Sequence, residues 1–186
     1  MMNGMTKAFV ALAATGLSWA ASAAPRDPSG VWLTEDARAR VRVEKCGASR
    51  ENLCGYIVWL KPNTAAATTD RKNPDPSKAN RPVLGHQLIL GLKPNSDDHY
   101  EGQIYNADDG KSYDVEIWVA SANGLKVKGC LIAFLCKTQD WTKVTDTVPN
   151  QLTAATGTTG GPTPDPEWAQ KAASAAPAKR DAKPRP

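Results

Sequence analysis

From Gly30 to about Asp146 the chain alternates polar and apolar residues with a period of two. Arg38-Ala39-Arg40-Val41-Arg42-Val43-Glu44 sets a charge against an apolar residue at each step; Tyr113-Asp114-Val115-Glu116-Ile117-Trp118-Val119 and Leu125-Lys126-Val127-Lys128 do the same. Such alternation gathers the apolar set on one face of a β-strand. Turn residues separate the runs, at Asn95, Asp108-Asp109-Gly110 and Asn123-Gly124, as hairpins require. The pattern predicts eight strands, over residues 30–34, 38–46, 54–60, 86–92, 99–105, 112–119, 124–130 and 137–144. Eight antiparallel strands on short turns can close on themselves and leave no exposed edge. The expected fold is therefore all-β, a small up-and-down barrel over residues 30–148 behind a short lead-in at 24–29.

Such a barrel is just wide enough to be filled by side chains or to hold one small ligand. Val41, Val43, Ile57, Trp59, Ile104, Val115, Ile117 and Val127 are the expected inward residues, and their pattern fits a solid core and a cavity equally well. One connection departs from the plan. Residues 61–84 carry Asp70-Arg71-Lys72-Asn73-Pro74-Asp75-Pro76 and Arg81-Pro82, and loops of this length in a small domain are usually functional or disordered.

The two ends of the chain read differently from the middle. Lys7 precedes an Ala-rich apolar run that closes on Ala21-Ser22-Ala23, the layout of a cleavable secretory signal over residues 1–23. The run is too weakly apolar, with Thr15, Gly16 and Ser18 inside it, for a spanning helix, and no membrane span is expected after cleavage. From Pro149 the chain turns to Thr, Ala, Gly, Pro and Lys, and seven of the 14 prolines fall there. That composition predicts a disordered tail over 149–186, since it offers little apolar surface to offset ordering entropy. A short helix starting at Asp165-Pro166-Glu167-Trp168 is the one local exception the capping pattern suggests.

Export changes the reading of the cysteines. In an oxidising compartment Cys46, Cys54, Cys130 and Cys136 are expected to pair rather than bind metal. Of the three connectivities, Cys46 with Cys54 and Cys130 with Cys136 are favoured, each bracketing a short loop between two strands, where Cα atoms about 5.5 Å apart can be bridged. A four-thiolate zinc site would need tighter knuckles than these spacings give. Residues 25–150 hold 17 Lys/Arg and 16 Asp/Glu, and residues 151–186 hold five and three. The folded part is thus nearly neutral, which argues against nucleic acid as a partner.

Candidates for chemistry are sparse. His86 begins a strand just after Gly85, at the expected barrel mouth, and His99 follows Asp97-Asp98 in a turn; both are expected to be solvated rather than catalytic or metal-binding, and Asp97-Asp98 and Asp108-Asp109 read as turn formers. Asp70, Asn73 and Asp75 lack the spacing of a calcium loop; instead Asp70 and Asp75 are expected to pair with Arg81 and, with Asn73, pin the long loop across one barrel end. No catalytic residue, metal site or cofactor is assigned.

Seven short motifs carry a family resemblance. Gly30-Val31-Trp32, Leu53-Cys54-Gly55-Tyr56-Ile57-Val58-Trp59-Leu60, the Asp70 to Pro76 run, Arg81-Pro82-Val83-Leu84-Gly85, Gly102-Gln103-Ile104-Tyr105, Gly110-Lys111-Ser112-Tyr113 and Thr138-Gln139-Asp140-Trp141-Thr142-Lys143-Val144 occur in this order. Together they resemble an exported bacterial family, domain of unknown function 2147. The resemblance covers residues 30–144 and implies a lipocalin-like barrel and an envelope location, with no established activity. It also implies that Trp32 packs under a basic side chain of the last strand to close the barrel bottom; Lys143 stands where relatives usually have Arg, and the Cys130 and Cys136 pair is an addition. The partner expected for such a barrel is a small lipid-like ligand, approached by Tyr56, Trp59, Arg81 and Tyr105 beneath the 61–84 loop. The alternative is an envelope protein bound by a barrel with a filled core.

Overall fold

Alternation becomes closure in the computed structural model, which describes residues 26–63, 68–132 and 135–166. Eight strands follow one another: β1 (Gly30–Leu33), β2 (Ala39–Cys46), β3 (Asn52–Leu60), β4 (Gln87–Pro94), β5 (Tyr100–Asn106), β6 (Lys111–Ser121), β7 (Gly124–Ile132) and β8 (Leu135–Val144). Each pairs antiparallel with the next, and β8 returns to β1 through Val31 opposite Val144 and Leu33 opposite Thr142. The result is a closed up-and-down barrel, with every predicted strand found within two residues of its expected limits.

The connections divide the barrel into two ends. The β2–β3, β4–β5 and β6–β7 turns lie at one end, with the lead-in residues 26–29. Arg26 is latched there, its backbone N donating to Asp98 Oδ1 at 2.6 Å and its guanidinium to the Val119 carbonyl. Trp32, 1 % exposed, plugs this end: its indole N–H donates to the Pro28 carbonyl, and Lys143 Nζ stands 5.3 Å from its ring centroid. Gly30 makes the plug fit. Its φ of +145° suits glycine, and a Cβ there would sit 2.9 Å from Lys143 Cε.

Both disulfides form as the sequence favoured, Cys46 to Cys54 on the β2–β3 hairpin and Cys130 to Cys136 on β7–β8, with Cα separations of 5.8 and 4.0 Å. They staple opposite ends of the barrel.

The C-terminal segment corrects the composition reading as far as Pro166. Residues 147–166 form a strap along the outer face of β2 and β3 rather than a loose tail. Leu152 N donates to the Val58 carbonyl at 2.8 Å, Arg42 donates to the carbonyls of Leu152 and Ala154, and Arg40 reaches Gln151 and Asp146. The strap then turns back, and Thr163 N donates to the Gly85 carbonyl at 2.8 Å. What orders it is polar rather than apolar: its backbone groups find partners on the barrel wall, which hydrophobic content does not report. Residues 167–186, most of the suggested short helix, and residues 1–23, expected from sequence to be a signal, lie outside the described residues.

Candidate functional site

A cavity of about 450 Å³ opens at the end opposite Trp32, among the 34–38 connection, the long β3–β4 loop and the β5–β6 turn. Its wall is apolar: Ile57, Leu60, Val83, Leu88, Ile104, Val115, Val127 and Trp141 line it. Polar side chains gather at the rim, where Arg38 pairs with Asp108 and Lys137 with Glu35. Gly129 also lines the cavity, and its missing side chain leaves open space beside Val115.

Over residues 68–83 the long loop is built, not slack. Val83 N donates to the Thr68 carbonyl and Asp70 N to the Arg81 carbonyl, so the loop closes on itself at its base. Lys72 rides over the β5–β6 turn at Gly110, where φ is +74° and a Cβ would stand 1.9 Å from the Lys72 carbonyl oxygen. Asp70 anchors the arrangement with no solvent exposure. Its Oδ1 accepts from Tyr105 Oη at 2.5 Å, and its Oδ2 accepts from Asn73 Nδ2 at 2.7 Å and Arg81 Nε at 2.9 Å. Arg81 extends the network to the strap through Asp165 Oδ1 at 2.8 Å, and Lys78 pairs with the same carboxylate. Burial and the Asp70 carboxylate raise the Tyr105 phenol well above its ordinary value, which keeps it a donor.

Asp70, Asn73 and Arg81 therefore meet in one network, whereas Asp75 does not join it. Asp75 is exposed, and its Oδ1 instead accepts from Ser77 N and Oγ, bonds that hold its pKa low. Its place opposite Arg81 is taken by Asp165, expected from sequence only as the cap of a short helix within an otherwise disordered tail.

The four residues expected near a ligand separate. Tyr105 lines the cavity; Tyr56, Trp59 and Arg81 do not. Register accounts for two of them. Tyr56 is opposite Arg42 and so lies on the outer face, beside Cys54 and beneath the strap. Trp59 was expected to point inward with Ile57, but a bulge breaks the β2–β3 register: Val41 faces Ile57 while Arg40 faces Trp59. The extra residue turns Trp59 outward, where the Arg40 guanidinium stands 5.7 Å from its ring centroid. The other inward candidates join the core, Ile104 being partly buried against it.

His86 was expected in a solvated loop and is instead 4 % exposed in the cavity wall. Its backbone ties it between β3 and the strap: the carbonyl accepts from Ile57 N at 3.1 Å, and the residue bridges Thr163. Alternation at the start of β4 sends Gln87 outward, to Cys54 Sγ and the strap backbone, and His86 and Leu88 inward. The imidazole lies 6.0 Å from the Tyr105 ring, and both of its buried nitrogens lack a hydrogen-bond partner. Burial, reinforced by Arg81, lowers its pKa to about 4, so it is neutral at ordinary pH. The parity of His86 with Leu88 was the signal available in the sequence. His99 sits at the other end, stacked on Trp118 at 4.5 Å with Nδ1 2.7 Å from Glu116.

Comparison with known proteins agrees with this architecture. The lipocalin-family protein HP1028 from Helicobacter pylori is similar in structure, with a TM-score of 0.55 and 22 % sequence identity over 64 % of this chain and 84 % of that one. At that identity the likeness concerns the fold. No curated protein matches the chain. Residues 30–143 match the family described as an uncharacterised protein conserved in bacteria, and the chain accordingly belongs to the DUF2147 family.

Proposed function

We propose that the protein is a periplasmic binding protein that holds a small apolar or amphipathic ligand inside its barrel. The cavity carries the reading: about 450 Å³, open at its mouth and lined by apolar side chains together with polar ones such as His86, Tyr105 and Gln139, against roughly 300 Å³ at the lower end of ligand pockets. Residues 68–83 of the long loop, fastened by Asp70 and Arg81, shape one side of the mouth. Export rests on the segment at 1–23, and two disulfides are compatible with it. Gently purified mature protein should carry a lipid-like molecule in native mass spectrometry, or take up a neutral fluorescent probe such as N-phenyl-1-naphthylamine. An empty protein that also leaves the probe dim would overturn the proposal.

One observation favours envelope-protein binding as a second reading. Leu131 and Leu135, 64 and 56 % exposed, stand at the β7–β8 end beside the cavity mouth. The cavity speaks against the filled-core form of that reading, but a barrel can carry a ligand and present a contact surface. Replacing both leucines by serine should abolish in-cell cross-links to an envelope protein and spare probe uptake; unchanged cross-links would remove this reading.

A further inference from the structure

We propose that His86 is the polar anchor of the cavity and that it selects ligands whose apolar body ends in an uncharged hydroxyl-type group. The inference rests on the cavity being a ligand site and names the chemistry of that ligand. Among the described residues, His86 is the cavity-lining side chain whose buried polar atoms have no partner, at both Nδ1 and Nε2. Buried polar atoms of this kind normally have a partner, because leaving them without one costs free energy. The other polar groups nearby are committed. Tyr105 Oη donates to Asp70, Trp141 Nε1 donates to Gln139, and Arg81 is held between Asp70 and Asp165.

The same surroundings choose among head groups. A neutral imidazole presents one donor and one acceptor, and the tautomer decides which nitrogen carries the proton. A hydroxyl both donates and accepts, so it satisfies whichever nitrogen it meets. A carboxylate only accepts, and beside His86 it would bring a charge among Ile57, Val83, Leu88 and Ile104, while the cations that line the cavity among the described residues, Arg38 and Lys137, are already paired with Asp108 and Glu35. Arg81 cannot supply that charge, since Asp70 and Asp165 already surround it with two carboxylates. An ammonium fares worse, having only protons to offer to an imidazole with a single acceptor.

The test is displacement of N-phenyl-1-naphthylamine from the full mature protein by decan-1-ol, 1-chlorodecane and, at pH 8, decanoate. Taking the alcohol-to-chloride ratio for the protein and for a His86→Phe variant cancels the different water solubilities of the two competitors. His86→Phe should take up the probe and lose about tenfold of the alcohol preference, the worth of one good hydrogen bond. His86→Gln, which keeps a donor and an acceptor, should retain much of it. A ratio that moves less than twofold in His86→Phe, or decanoate competing better than the alcohol in the unsubstituted protein, overturns the anchor while leaving the cavity reading intact. Failure of the unsubstituted protein to take up any probe overturns the cavity reading itself. Should His86→Phe fail to fold, the His86 ring ¹⁵N shift on adding decan-1-ol decides: a shift absent with 1-chlorodecane supports the anchor, and no shift with either refutes it.

Discussion

Asp70 draws three parts of the structure together through one side chain. One carboxylate accepts from a phenol, an amide and a guanidinium, and removing it would take that acceptor from Tyr105 and Asn73 and leave Arg81 with Asp165 alone. Asp70→Ala is therefore expected to destabilise the protein by about 3 kcal/mol, as when one partner of a buried ion pair is lost, with chemical denaturation as the measure and faster proteolysis within 68–83 as the local sign. His86 makes a prediction with a definite direction. Its folded pKa of about 4 lies below the ordinary histidine value, so between roughly pH 6.5 and pH 4 the unfolded chain binds a proton that the folded chain refuses. Stability should fall through that window, by about 3 kcal/mol from this group, and level off below it. The charges facing the ring are Arg81, which lowers the pKa, and Asp70 and Asp165, which raise it. Denaturation of His86→Gln across the same range should show a shallower slope; equal slopes would deny the burial penalty. Neither role is written in local sequence. An Asp before Arg-Lys-Asn-Pro reads as a turn, and only the fold brings Tyr105 to it from 35 positions away.

At the scale of elements, the strands were legible because alternation and turn chemistry are local. The bulge at Arg40 and Val41 was not, since one extra residue on β3 changes the face of Trp59 without changing the composition of either strand. The strap was missed for a different reason. Its ordering comes from arginines on β2 and a carboxylate network on the long loop, partners more than 80 positions away. Truncation after Val148 tests how much it matters. The shortened protein should keep its β-sheet circular dichroism but melt about 10 °C lower, the shift expected for roughly 2 kcal/mol in a small domain, and backbone amides of β3 should exchange faster. An unchanged melting temperature would make the strap a passenger.

For the whole molecule, the barrel closes its two ends differently. Trp32 under Lys143 seals one, and the other keeps a cavity whose roof is loop and whose floor is core. Gly129 lets the two roles be pulled apart. It lines the cavity on β7 and has an ordinary backbone conformation, and a Cβ there would meet only Val115 at 3.8 Å. Gly129→Leu should therefore fold at least as well as the parent and bind any cavity ligand at least tenfold more weakly; full binding in a folded variant would place the ligand elsewhere. Sequence alone could not decide between a filled and an open barrel, because the same apolar residues serve both. The answer lay in small residues such as Gly129 and in the positions of Leu60, Val83 and His86.

Both bridges join cysteines that follow one another along the chain, 46 to 54 and then 130 to 136. A chain threaded through a translocation pore N-terminus first presents its thiols in that order. An oxidant that couples each new thiol to the one already waiting arrives at the native pairing, and neither of the two wrong pairings arises from nearest-in-time coupling. If the protein is exported as proposed, maturation should thus need oxidation without reshuffling: cells lacking a disulfide isomerase but keeping the thiol oxidant should yield the same fraction of natively bridged protein as cells that have both.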